Sequence, residues 1–474
     1  MERRKNHRTP VILQARYAAT NPTPAGGGKA ITRDLSRSGT ALVLEHRMAP
    51  NTVVEVELEI PGLEQAAKAR GEVMWQRDIS GGIAPTFLTG VQFLKMDSPL
   101  QEQIERFVTG QLKQHSQAVD EKAVDSFDRT IRTAQQPWPI QATTLRTTHA
   151  RVAAIGAYLP LTKLTNEDLV RQAGADIQPV LLQRALGVIE RRAAPPEDTA
   201  ADLMARAGKM ILEQAGCDPK ELDRIICSCD PGETAAPGTA VAVQAKLGAK
   251  CPAFDVVMSC AGWICGIDLA CRCIATGEKR ILVLSSAMAT KPYFRSLRHR
   301  AIFGDGAGGA LVEAAEANDG LIATELWTNG QFYSAIYLPY PWSTLPSEIP
   351  SEYKGSFYMN PDQAVFFKAL ENYFPALIKN LLNKAALTIA DIDHVLLHQP
   401  SWPLFEHSLR ILDWIPRTKV FGIEHFAQCG NLVGAEFPVM IESGIRHGQI
   451  KRGDLVMMAT YGAGFTMAGM IFQY

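Results

Sequence analysis

DVVMSCAGWICGIDLA, Asp255–Ala270, sets a cysteine at the join between a strand and a helix. The residues before Cys260 are apolar enough for a buried strand. After it, Ala261, Gly262, Gly266 and Ala270 give a helix whose small residues permit close packing. A thiol at a helix start meets free backbone N–H groups and the positive end of the helix dipole, which favour thiolate. Free cysteine is also among the most buried residue types, so this stretch taken alone reads as a buried core thiol rather than a nucleophile.

The pattern recurs downstream. CAGWICGIDLACRCIATG (260–277) lies 171 residues before NLVGAEFPVMIESGIRHG (431–448), and ELDRIICS (221–228) lies 170 before DIDHVLLH (391–398). KRILVLSS and RGDLVMMAT then follow in the same order. Three pairings at a nearly constant offset predict duplicated βαβ halves. From Ala150 onward apolar strands alternate with amphipathic helices, the pattern of an α/β domain. The duplication puts Cys260 and Asn431 at equivalent helix starts and His398 at the end of a strand in the second half. Packing about a pseudo-twofold axis then brings all three to one central site. Cysteine, histidine and asparagine in one pocket suit acyl transfer through a thioester. The oxyanion donors would come from the Cys260 N–H and the glycine-rich turn YGAGFT (461–466).

Composition bounds the remainder. The chain has 474 residues, 46% hydrophobic and 20% charged, with net charge −1. That length allows two or three domains. The balance gives no basic surface for a nucleic-acid polymer and no polybasic membrane anchor. MERRKNHRTPVILQA, at the N-terminus, is basic, but its apolar run is too short for a signal peptide. LVMMATYGAGFTMAGMIF, near the C-terminus, is broken by glycine and threonine and reads as core strands rather than a membrane span. Nine cysteines, mostly in apolar segments, suggest a reduced, cytoplasmic chain. CSC (227–229) and CRC (271–273) lack zinc-ligand spacing, so no metal is expected. Short alternating segments such as TVVEVELEI and GVQFLKM make residues 1–115 a small β domain. Residues 116–147 are polar and weakly patterned, a linker, and 148–474 form the α/β domain.

AFDVVMSCAGW, FGDGAGGALV (303–312), LLHQP, QCGNLVGAEFP and YGAGFTMAG resemble, in order and spacing, β-ketoacyl-acyl-carrier-protein synthase III of the thiolase superfamily. The resemblance implies an α/β thiolase fold, five-layered, from duplicated βαβαβ halves, and a homodimer. It implies that Cys260 carries an acyl group, drawn from acyl-coenzyme A or an acyl carrier protein. His398 and Asn431 then hydrogen-bond the carbonyl of a malonyl thioester as it loses carbon dioxide, and the enolate attacks the acyl-enzyme in a Claisen condensation. Neutral histidine suits that role because it donates to the enolate without quenching it. Gly464 matches the glycine whose N–H completes the oxyanion hole, and FGDGAGG reads as a structural turn held by Asp305. No permanently bound cofactor is implied.

Departures from the family pattern bear on substrate. The tryptophan and arginine that clamp adenine align with Leu181 and Ala185, beside Arg184. A further coenzyme-A arginine aligns near Leu297, beside Arg298, and a carrier-docking arginine with Pro403. Lys368 matches a basic carrier-docking residue. The bulky aromatic that closes the acyl pocket aligns with Ala236, which leaves a longer channel for a medium or long acyl chain. Related head-to-head condensing enzymes carry a glutamate base at that position; here Glu233 only lies close by.

ERRKNHR (2–8) and DLSRSG (34–39) carry a second resemblance. Arg4 and Arg8 form RxxxR; Asp34, Ser36 and Gly39 form DxSxxG. With GVQF these resemble a PilZ domain, which implies an all-β barrel of six strands that binds cyclic di-GMP. Arginines offer bidentate phosphate contacts and stack on bases, while Asp34 can accept guanine N–H groups. The combined expectation is a cyclic di-GMP-responsive condensing enzyme. Two alternatives stand beside it: a non-decarboxylating acyltransferase forming an ester or amide, and a non-catalytic cyclic di-GMP sensor or scaffold.

Overall fold

In the N-terminal region, alternation decides the structure. VVEVEL, strand β4 (Val53–Leu58), buries Val54, Val56 and Leu58 and exposes Glu55. The computed structural model describes residues 14–21, 27–36, 38–44, 46–60, 66–78, 87–95, 104, 143–175, 177–290, 297–316, 322–340, 343–345, 349, 351, 354–355, 357–359 and 363–474. Strands β1 (Gln14–Asn21), β2 (Gly27–Ser36), β3 (Gly39–Leu44), β4, β5 (Ala67–Asp78) and β6 (Phe87–Lys95) are all antiparallel. Their order is β1-β2-β3-β6-β5-β4, and β1 pairs with β4 as well as β2, so the sequence of pairings returns on itself. Inward residues such as Leu35, Leu42, Val56 and Val73 make its core.

β7 (Thr143–Thr147) corrects the expected linker: its last five residues are an edge strand of the α/β domain, paired with β15 (Ile322–Thr328). The first large sheet runs β12 (Ala253–Asp255), β11 (Arg224–Cys229), β13 (Arg280–Met288), β14 (Asp305–Ala314), β8 (Ala150–Tyr158). The second runs β18 (His394–Leu397), β19 (Leu455–Gly462), β20 (Thr466–Gln473), β15, β7. The halves match. β12-β11-β13 are parallel in the first sheet, and Val420, β18 and β19 repeat that in the second, Val420 through one isolated bridge to Val395. Two short pairs, β9 (Lys163–Thr165) with β10 (Glu190–Arg192) and β16 (Ile336–Tyr337) with β17 (Tyr358–Met359), lie outside the large sheets.

Helices fill the layers. α1 (Asn166–Ala173) and α2 (Pro179–Leu186) precede α3 (Ala200–Ala215) and α4 (Thr239–Leu247), and the latter two cover the outer face of the first sheet. α5 (Gly262–Ala275) and α10 (Glu436–Arg446) lie between the sheets, where Trp263, Ile267, Phe437 and Ile441 are fully buried. α6 (Leu297–Ile302) follows β13. α7 (Gln363–Ala385) and α8 (Trp402–Ile411) cover the second sheet, and α9 (Ile423–Cys429) leads towards α10. Helix, sheet, helix, sheet, helix make five layers. No helix among the described residues is long and apolar enough to cross a membrane.

The two units touch. All six residues of β3 are buried. Leu42 and Leu44 point into the N-terminal core, whereas Ala41 and Val43, with Leu88, pack on Leu181 of α2 and its neighbours Ile177, Val180 and Ala185. Leu181 is 3% exposed.

Candidate active site

Cys260 sits in a one-turn 3-10 helix, Ser259–Ala261, that runs directly into α5. Its neighbour Ser259 has φ 47°, a left-handed conformation that costs a non-glycine residue of order 1–3 kcal/mol and clusters at functional sites. The backbone around it closes tightly. A Cβ on Gly262 would lie 1.9 Å from Ser228 Oγ, and one on Gly462, at the end of β19, would lie 3.1 Å from Cys260 N. Thr460 Oγ1 donates to the Cys260 carbonyl at 3.4 Å.

The repeat is real, but its register differs from the sequence expectation. In the second half the one-turn helix is Val433–Ala435, and Val433 has φ 53°, the counterpart of Ser259. Gly434 therefore answers Cys260, and Asn431 lies ahead of the helix in a parallel bridge to Phe303. The glycine-rich turn builds that bridge. A Cβ on Gly304 would meet the Cys429 carbonyl at 2.1 Å, and one on Gly430, φ 68°, the Ile302 carbonyl at 2.4 Å. Asp305, fully buried, anchors the turn by accepting from Ala194 N and Thr290 N, each at 2.8 Å. Asn431 is 2% exposed; its Oδ1 accepts from Val433 N at 2.7 Å and its Nδ2 lies 3.5 Å from Pro400 O.

His398 follows β18 and is tied to β19 by its own N–H, which donates to Ala459 O at 3.0 Å. Its ring packs edge-on against Tyr461, and Cys260 lies close enough to act on its charge. Nδ1 faces Glu436 Oε2 at 2.6 Å, and the other oxygen, Oε1, accepts from Gln399 N at 2.9 Å. Burial opposes the charged imidazole, but the neighbouring Cys260 and Glu436 outweigh it and hold His398 up at about 10. Glu436 was not singled out from sequence; an acidic residue in a first helical turn has an ordinary reading there. Asp230 was also missed. Its carboxylate lies near the Ser259 N–H, its Oδ2 has no partner among the described residues, and burial raises it to about 6. Burial pushes the Cys265 and Cys429 thiols up to about 11.

The other expected positions are scattered. Gly464, with φ 116°, lies two residues beyond Gly462, whose backbone closes on the cysteine. Ala236 and Lys368 are exposed. Glu233 accepts from Ala201 N at the start of α3, which occupies it as a cap. Arg4 and Arg8 lie outside the described residues. Asp34 stands opposite Ala41 in the β2–β3 register. Ser36 Oγ donates to Gly39 O at 3.0 Å, and a Cβ on Gly39 would meet Val91 O at 2.3 Å, so only glycine fits.

Residues 254–330 match the family model of 3-oxoacyl-[acyl-carrier-protein (ACP)] synthase III, and 382–474 match its C-terminal model. β-Ketoacyl-[acyl-carrier-protein] synthase III of Thioalkalivibrio sulfidiphilus is 30% identical over 331 residues, 69% of this chain and 100% of that protein. This chain belongs to the β-ketoacyl-[acyl-carrier-protein] synthase III family. It is an acyltransferase of the condensing type. The synthase III of Symbiobacterium thermophilum is 28% identical over 326 residues, 68% of this chain and 97% of that one. A crystal structure of the synthase III from Aquifex aeolicus VF5 superposes with TM-score 0.60 at 28% identity, covering 69% of this chain and 100% of that chain. The chain carries a second module, since residues 2–110 match the PilZ domain.

Proposed function

We propose that acyl transfer to Cys260 is followed by decarboxylative Claisen condensation with a malonyl thioester, and that cyclic di-GMP adjusts the reaction through the PilZ barrel. The observation that carries the chemistry is the meeting of three loops: the cysteine turn, the end of β18 with His398, and the bridge with Asn431. The thiolate attacks the donor thioester, forming the acyl-enzyme and releasing the donor thiolate. Donors on His398 and Asn431 stabilise the enolate formed as carbon dioxide leaves the malonyl group. The enolate carbon attacks the acyl-enzyme and returns Cys260 as thiolate. Ala236, small and exposed, supports medium or long acyl chains.

Two surfaces support the rest of the reading. β12 is an outer strand, and Phe254 upon it, Val257 just beyond and Val241 of α4 are 36%, 76% and 44% exposed. Pairing with a second copy would cover them. The β3–α2 contact joins the strand pair bearing Asp34, Ser36 and Gly39 to the helix whose Leu181 and Ala185 align with the family's adenine clamp. Nucleotide on that hairpin thereby reaches the acyl-donor entrance.

Carbon dioxide release from labelled malonyl thioester, with intact-protein mass measurement of the acyl adduct, tests the chemistry. Cys260→Ser is expected to abolish the adduct. His398→Ala and Asn431→Ala are expected to retain more acylation than decarboxylation, with a loss on the order of 10²–10³ in the latter for Asn431→Ala. An adduct mapped elsewhere, or full condensation without carbon dioxide release, overturns the reading.

A further inference from the structure

We propose that Glu436 is a positioning residue that keeps His398 an imidazolium throughout turnover, so that one Nε2–H serves the Cys260 thiolate at rest and the malonyl carbonyl during decarboxylation. This rests on Cys260 as acyl carrier and replaces the neutral histidine expected from sequence.

The geometry is that of a relay with fixed polarity. His398 is 1% exposed and Glu436 5%. An ionised carboxylate only accepts hydrogen bonds. Glu436 Oε1 already accepts from Gln399 N at 2.9 Å, so Oε2, at 2.6 Å, takes the Nδ1–H of His398. That leaves Nε2 as the nitrogen available to Cys260, the nearby group that helps hold the ring charged. A bare Nε2 takes the thiol proton, giving thiolate and imidazolium with no net change in charge. Tyr461 also packs on the ring, and burial pushes its phenol up, so it stays neutral. Glu436 is then the counter-charge that makes the buried cation tolerable.

Proton counting shows what this achieves. In the first half-reaction the thiolate forms the new C–S bond, the donor C–S bond breaks, and the departing thiolate is protonated by solvent. In the second, the C–C bond to carbon dioxide breaks, the enolate forms a C–C bond to the acyl carbon, and Cys260 leaves as thiolate. Neither half consumes the Nε2 proton. The cation that stabilises the resting thiolate is still present for the enolate oxygen.

Iodoacetamide labelling of the Cys260 peptide across pH reads the ion pair without any substrate. The expected result is labelling of wild type that persists below neutral pH. Glu436→Gln, similar in shape, is expected to lower the rate at pH 6.5 on the order of tenfold and move the profile to alkaline pH. Glu436→Asp is expected to restore part of the wild-type profile. A folded Glu436→Gln protein with an unchanged profile overturns the proposal. If that variant does not fold, ¹⁵N imidazole shifts of wild type decide: both nitrogens protonated at pH 8 supports the cation, and a neutral ring overturns it. A Glu436-dependent profile in a protein that no acyl thioester acylates supports the pair and counts only against the proposed substrate chemistry.

Discussion

Asp230 and Glu436 are both carboxylates beside the cysteine loop, and their surroundings give them opposite consequences. Glu436 meets a cation and a backbone donor; Asp230 meets one backbone donor and little else. For Asp230 the folded value is raised to about 6 from 3.8, so the folded state binds a proton that the unfolded chain releases. Stability from that proton is present below about pH 4, is lost as pH rises through about 6, and the full cost stands above it. Asp230→Asn keeps an acceptor for Ser259 N–H and removes the charge. Thermal unfolding should show a gain of about 1–3 kcal/mol at pH 8 and little at pH 4. An equal gain at both pH values would show that Asp230 does not titrate in this window. Cys260, His398 and Asn431 were legible because each lies in a motif with its own turn chemistry. Asp230 and Glu436 were not, because one ends an apolar strand and the other opens a helix. What each faces comes from the other half of the chain.

At the scale of elements, GTALVL in β3 held an unread signal. A continuous apolar run in an antiparallel sheet means burial on both faces, since one-sided strands alternate. The second face needed a cover, and α2 supplies it with Leu181. Val43→Asp puts a charge into this contact, where an unpaired charge is costly. Deuterium exchange should rise across α2 while the six-stranded core keeps its protection. Because Asp34 stands opposite Ala41, undocking should also change the dissociation constant for cyclic di-GMP by at least about fivefold, the lower end of ordinary site-to-site coupling. Unchanged nucleotide binding alongside an exposed α2 would show the two surfaces to be independent. Binding without any effect on turnover would make the PilZ module a docking device. The repeat was visible as an offset near 171 residues, yet the matched left-handed residues are Ser259 and Val433. Apolar spacing locates a helix face, whereas the turn that precedes it is set by backbone conformation.

For the whole molecule, the five layers follow from two helices, α5 and α10, that are buried along almost their whole length. Each must be enclosed by sheets on both sides, and the amphipathic α3 and α7 then close the outside. β7 escaped the reading because TTLRT is short and polar, as an edge strand with one wet side tends to be. That strand settles where the protein can be divided. The free margin of β15 is covered by β7, a segment that sequence pattern assigns to the connection rather than to the enzyme. A catalytic fragment begun at residue 148 would expose a row of unmet backbone groups to other copies of itself, whereas one begun at residue 140 would bring its own hem. Light scattering of the two fragments should show the shorter one aggregating, and equal solubility would mean the margin needs no cover. The tether of the PilZ module is thus sewn into the fabric of the enzyme, and a tailor who cuts at the visible seam cuts cloth.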